Sequence, residues 1–148
     1  MATLTEQRQS DVKKLNGFLK NELSAVETYD QCIEKISNPN ISQGLVDLRQ
    51  SHQERARLLK IRVNELGGEP ADSSEAWGGL AKLMEGGAKV FGEKSAISML
   101  EEGEDKGRDE YQKDVKKLSA ENQSFINNMV LPQQLRSHDQ LNQLKAAC

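Results

Sequence analysis

Apolar positions recur along most of this chain at steps of three and four, the spacing of an α-helix that buries one stripe of its surface. The first such stripe reads Leu15, Leu19, Glu22, Val26, Tyr29, Ile33 and Ile36, and the second Leu45, Leu48, His52, Ala56, Leu59, Val63 and Leu66. A third runs through Ile97, Leu100, Glu104, Gly107, Tyr111 and Leu118, with Val115 close beside it. The fourth carries Phe125, Ile126, Met129, Val130, Leu135, His138, Leu141 and Leu144. Few β-branched runs interrupt this period, so strands find little support. The pattern predicts an all-α chain built on four helices.

Punctuation sets their ends. Ser10 as N-cap and Asp11 in the first turn predict the start of helix 1, with residues 1–9 frayed. Ser37-Asn-Pro-Asn40 stops that helix, because Pro39 cannot continue the hydrogen-bond ladder and disfavours helical geometry at Asn38. Helix 2 begins near Ile41 and ends at Gly67-Gly68, with Pro70 soon after. A link this short predicts that the two helices lie antiparallel. From Gly67 to about Lys94 Gly and Ser become frequent around a short amphipathic segment, Trp77, Leu80, Leu83 and Met84, with Trp77 expected to plug the core. Helix 3 runs from near Ser95 to about Leu118. Its Gly103 and Gly107 each cost ~1 kcal/mol relative to Ala, which predicts a close neighbour there. Ser119 to Gln123 marks a new start, and Pro132 should kink or split the helix that follows. The expected architecture is one domain over residues 1–148, an antiparallel four-helix bundle with a short helix in the long crossover between helices 2 and 3.

Composition narrows the function classes. At 148 residues the chain can bury a core without disulfide or metal staples. A net charge of −3, with Lys and Arg spread among Asp and Glu, offers no basic stripe for a phosphate backbone and argues against nucleic acid as a partner. No run approaches the ~20 apolar residues of a membrane span, and the first ten residues are polar, which predicts a cytoplasmic protein with no membrane role. Cys32 and Cys148 have no CxxC spacing and read as free thiols, with Cys32 packed near the helix 1 stripe.

Candidate chemistry lies where polar residues interrupt the apolar stripes: Glu22, His52, Glu104 and His138. Glu22 precedes Tyr29 by seven residues and Glu104 precedes Tyr111 by seven, nearly two helical turns, so each Glu shares a face with its Tyr. The order Glu, His, long crossover, Glu, His is that of an internal duplication about a pseudo-two-fold axis.

This order resembles the ferritin-like four-helix bundles, which join two helix pairs by one long crossover and build di-metal carboxylate sites at mid-bundle. A closer resemblance is to a bacterial ferritin-like family of unassigned function, through Leu66-Gly-Gly-Glu-Pro-Ala-Asp-Ser73, Leu100-Glu-Glu-Gly-Glu-Asp105 and the His138-Asp-Gln tail. It extends from about Asp11 to Lys145. The resemblance implies ligands at Glu22, His52, Glu104 and His138, with Tyr29, Arg49 and Tyr111 behind them. A di-iron site also needs a Glu three residues before each His, and those positions hold Arg49 and Leu135. A cation at the place of a bridging carboxylate disfavours two metals, and with them oxidase or iron-storage chemistry.

Two readings of the centre follow. One is a single Zn, Fe or Mn ion held by two Glu and two His. The other is a buried polar network in which the carboxylates accept hydrogen bonds from the imidazoles, from Arg49 and from the hydroxyls of Tyr29 and Tyr111. No nucleophile elbow, phosphate loop or nucleotide fingerprint is present and no small-molecule substrate is identifiable, so catalytic residues are assigned to none and any enzyme would work from the seam. Val90 and Phe91 in the crossover offer a homodimer or partner patch, which makes a helical interaction protein the alternative.

Overall fold

The first helix, α1 (Leu4–Lys35), starts a full turn and more before Ser10, so Asp11 lies inside a helix and not at its start. Asn38 N-caps α2 (Pro39–Glu65), its side chain accepting from the amides of Asn40 at 2.9 Å and Ile41 at 3.3 Å. Pro39 is thus the first residue of α2 as well as the stop for α1, a position where its missing N–H is not needed. Glycine ends α2 as expected. Gly67 takes φ +78°, the amide of Gly68 reaches back to the carbonyl of Val63, and that of Gly67 to Asn64.

The computed structural model describes residues 4–74 and 93–147. The expected crossover helix with Trp77, Leu80, Leu83 and Met84, the Val90 and Phe91 patch, and Cys148 lie outside the described residues. Residues 69–74 lie along α1, where Asn16 donates to the carbonyl of Glu69 and accepts from the amide of Ala71, and Ser74 donates to Glu27.

The chain resumes as α3 (Glu93–Asp114), which tightens into a 3-10 turn at Val115–Lys117. Glu93 accepts from the backbone and hydroxyl of Ser37 and the amide of Asn38, fastening the start of α3 to the link between α1 and α2. The final rod is made of α4 (Ala120–Phe125), a π turn (Ile126–Val130) and α5 (Leu131–Ala146). Pro132 is the reason for the π turn: it has no N–H for the preceding turn, and the wider π geometry accommodates the missing bond. The side chain of Gln133 donates to the carbonyl of Met129. The rod is therefore split, as the proline predicts, but continues in one direction of winding.

All described residues with regular structure are helical, and no strand occurs among them. Helix α1 packs against α2 and α3, and α5 against α3 and α2, so the four rods enclose one interior. That interior holds two apolar clusters. One contains Tyr29, Leu45, Leu48, Ile97, Leu100 and Leu141, the other Leu15, Leu19, Leu59, Tyr111, Ile126 and Val130. Cys32 belongs to the first, a free thiol pushed up to about 12 by burial against the opposing pull of Lys35.

Along the last rod the buried positions are Asn122, Ile126, Val130, Gln134, Ser137 and Leu141. Three successive steps of four overshoot an α-helical stripe by about 120° at 100° per residue, and the wide π turn absorbs part of that rotation. Leu135, expected in the seam, is instead 40% exposed, and Met129 49%.

Candidate functional site

Between the two apolar clusters lies a polar layer drawn from all four rods. Glu22 of α1, His52 and Arg55 of α2, Glu104 of α3, and Gln134 and Ser137 of α5 are all buried. Each sits on its helix's inward stripe because the residues three or four positions away are apolar and buried: Leu19, Leu48, Leu59, Leu100 and Leu141 among them.

His52 is the hub. Its Nδ1 stands 2.6 Å from Glu22 Oε2 and its Nε2 2.6 Å from Glu104 Oε1. A neutral imidazole has a single N–H and could serve one of these oxygens; serving both requires the imidazolium. Burial and the neighbouring Arg55 push the ring toward its neutral form, but Glu104 and Glu22 outweigh them and its pKa is raised. Arg55 fills the remaining space. Its Nε donates to Glu22 Oε1 at 3.1 Å, Nη1 donates to Ser51 and Ser137 at 3.0 Å each, and Nη2 lies 2.7 Å from His52 Nδ1. Two cations in contact are tolerable because two carboxylates flank them and the layer sums to zero charge.

The Glu and Tyr repeats are realised as an exchange. Tyr29 of α1 donates to Glu104 Oε1 of α3 at 2.6 Å, and Tyr111 of α3 donates to Glu22 Oε1 of α1 at 2.8 Å. Each tyrosine serves the carboxylate of the other repeat, as a two-fold relation between the halves requires. Gln134 completes the cage, its Nε2 donating to Glu104 Oε2 at 3.0 Å and to the Glu104 carbonyl at 2.9 Å. This amide explains Gly107, where a Cβ would stand 3.2 Å from Gln134 Nε2.

Electrostatics follow from these contacts. Burial alone would push Glu22 up, but the charges of Arg55 and His52, with hydrogen bonds from His52 and Tyr111, hold it at about 2. Glu104 is lowered in the same way: burial is outweighed by the charge and hydrogen bond of His52, then by Arg55 and Tyr29. Burial and the adjacent carboxylates raise both tyrosines well above their ordinary value, so each remains a hydrogen donor. Arg55 is raised too, burial being outweighed chiefly by Glu22.

The sequence-derived candidates divide accordingly. Glu22, His52, Glu104, Tyr29 and Tyr111 are brought together. His138 is not: it lies on the flank of α5, 2.5 Å from Asp105 and 3.3 Å from Arg108 Nη1. The phase of the last rod turns Gln134 and Ser137 inward in its place. Arg49 is not there either; it pairs with Asp30 at 2.6 Å on the partly exposed side of α2. The guanidinium at the centre belongs to Arg55, three residues beyond His52, a step as helical as the one to Ala56. Gln134 and Ser137 stand four and seven residues past Val130, but as neutral polar residues they lack the signal of an imidazole.

The donor set does not fit a resident metal. A metal needs lone pairs converging on one point, whereas both imidazole nitrogens are turned to carboxylates and a fixed cation stands 3.1 Å from Glu22. Among the described residues no group of three or more His, Cys, Asp or Glu is arranged to hold an ion.

Fold and site together define a four-helix bundle protein with a closed, charge-balanced polar centre. The chain belongs to the family described as domain of unknown function DUF2383, whose model matches residues 10–117. That span includes α2 and α3 and every charged member of the centre, while Gln134 and Ser137 lie beyond it. No curated protein and no solved structure matches the chain.

Proposed function

We propose that this chain is a cytoplasmic, ferritin-like, antiparallel four-helix bundle protein whose centre is a metal-free polar lock, and whose work is binding at its surface and not redox chemistry at its core. The observation that carries the reading is Arg55, 0% exposed and bonded to Glu22, Ser51 and Ser137. In the ferritin-like frame two helices each offer a Glu and the other two each offer Glu-x-x-His. Here the pairs at that spacing which face inward are His52 with Arg55 and Gln134 with Ser137. A guanidinium and two neutral groups thus stand where acids and imidazoles would bind cations. The internal charge that metals would neutralise is neutralised by Arg55 and His52.

The absence of a helix among the described residues long and apolar enough to cross a membrane supports the same reading. So does the acidic balance of the chain against a nucleic-acid role.

Elemental analysis of tag-free protein purified without chelators tests the proposal. The expected result is well under one equivalent of Fe, Zn or Mn. About one equivalent that disappears in the Glu22→Ala, His52→Ala double variant would establish a mononuclear site instead, and two equivalents of iron would establish a di-iron centre.

A further inference from the structure

The fold assembles a basic groove that neither contributing segment shows alone. Between the first half of α1 and the last turns of α3 lies an open cleft of about 640 Å³, within the size range of small-molecule sites. Lys13 and Lys14 line it from α1, Lys106 and Lys113 from α3, and Lys117 from the 3-10 turn that follows.

Five lysines face two carboxylates, a surplus of three positive charges on a chain whose net charge is −3. The two acids are already engaged. Asp114 pairs with Lys117 at 3.2 Å, and Glu110 accepts from Asn21 and stands 4.0 Å from Lys106. Among the described residues Lys14 reaches the neutral hydroxyl of Ser10, at 2.6 Å, and no carboxylate. Lys13 and Lys113 have no ion pair among the described residues.

Gly17 is the second, independent feature. It lies inside α1, where glycine costs about 1 kcal/mol relative to Ala, and it lines the groove. Packing does not demand it, since a Cβ built there meets nothing within 4 Å. Gly107, by contrast, is explained by Gln134. A residue that weakens the helix and leaves bare backbone on the wall of a basic cleft is what close approach by a ligand requires. The floor is firm: Phe18 is buried with its ring 4.6 Å from that of Tyr111, itself held by Glu22.

The geometry points to a site for a small polyphosphate anion, either inorganic or the phosphate chain of a nucleotide, spanning Lys13 and Lys14 on one side and Lys113 and Lys117 on the other. Lysine binds phosphate as a point charge, and several lysines on two rods suit an elongated anion better than a single phosphate. Phe18 is too buried to stack a base, so the phosphates carry recognition. The site is separate from the polar centre and does not depend on the absence of metal there.

Titration of the whole protein with inorganic tripolyphosphate, and in parallel with ATP, by calorimetry and amide chemical shifts at physiological salt tests this. Saturable one-to-one binding is expected, with shifts confined to residues 10–21 and 106–117. Lys13→Gln with Lys113→Gln should weaken it by roughly tenfold or more. Gly17→Trp, which leaves the charge intact but fills the cleft, should abolish it. Equal affinities for the two probes assign the site to phosphates alone, and tighter ATP binding assigns it to a nucleotide. Absence of saturable binding, or binding that survives Gly17→Trp, would overturn the proposal, the latter outcome reducing the lysines to an ordinary charged surface.

Discussion

Arg55 and His52 place two positive charges in the buried centre, and the two facing carboxylates make that stable. Removing one partner of such a set leaves the other uncompensated, at a cost of about 3–5 kcal/mol. Arg55→Ala should therefore destabilise the protein by that order, read as a fall in the urea midpoint. The tyrosines test the two-fold exchange. Tyr29→Phe leaves Glu104 without one donor and Tyr111→Phe does the same to Glu22, so each should cost about 1–3 kcal/mol and the two losses should be similar. A large loss from one and none from the other would show that the halves are not equivalent.

The same residues fix the pH response. Glu22 is held at about 2 and Glu104 is also lowered, so their stabilisation is complete above the unfolded carboxylate value of about 4.3 and is lost as pH falls toward the folded values. His52 is raised, so its contribution is complete below the unfolded value of about 6.5 and is lost as pH rises through the folded one. The centre should support the fold most strongly between about pH 4.5 and 6.5. Urea midpoints of wild type and His52→Gln across pH 5 to 9 check the upper limb. Their difference should shrink as pH rises; a constant difference would mean that the ring is neutral throughout.

At the scale of elements, the helices are tied to one another by side chains that satisfy backbone ends on a neighbouring element. Asp11, buried in the first third of α1, accepts from the backbone amide and hydroxyl of Ser119 and from Asn122 Nδ2 at 2.7 Å. Ser119 makes no side-chain cap of its own for α4, so the start of the last rod is held from α1. Burial opposes ionisation of Asp11, but the hydrogen bonds from Ser119, Asn122 and Gln7 lower its pKa. Asp11→Ala should cost about 1–2 kcal/mol, the range for a lost N-terminal cap, and should speed amide exchange at Ser119 and the residues after it. Unchanged exchange there would remove Asp11 from this role. Glu93 performs the corresponding task at the link between α1 and α2, from the exposed side.

For the whole molecule the polar layer separates two apolar clusters, and it sets how the rods are registered more than how tightly they cohere. Apolar packing tolerates a slip of one turn better than a paired polar layer does, since Glu22, His52, Arg55 and Glu104 meet in one register. A variant with Glu22→Leu, His52→Leu, Arg55→Met and Glu104→Leu, combined with Tyr29→Phe, Tyr111→Phe and Gln134→Leu so that no buried donor loses its carboxylate, should keep its helical content and remain at least as resistant to urea. Its amide spectrum should broaden as alternative packings become populated. Sharp, fully dispersed resonances would show that register is set by the loops alone.

Period and punctuation determined a great deal from the sequence. Four helical stripes, the glycine end of α2 and the break at Pro132 depend on neighbours within a few residues, and local sterics act the same way in any fold. The inward placement of Glu22, His52, Glu104, Tyr29 and Tyr111 was also legible, because apolar residues on either side leave a polar one in mid-stripe no other direction. The last rod was less legible. A π turn changes the phase of every residue beyond it, and the period alone cannot tell where the turn falls; hence Gln134 and Ser137, not Leu135 and His138, reached the interior. Three matters were left to the tertiary structure: that Arg55 and not Arg49 supplies the central cation, that each tyrosine crosses to the other repeat, and that lysines about a hundred positions apart share a groove. Charge and hydrogen-bond pairing at long range depend on which helices become neighbours, and that is set by closure of the whole bundle, not by any stretch of the chain.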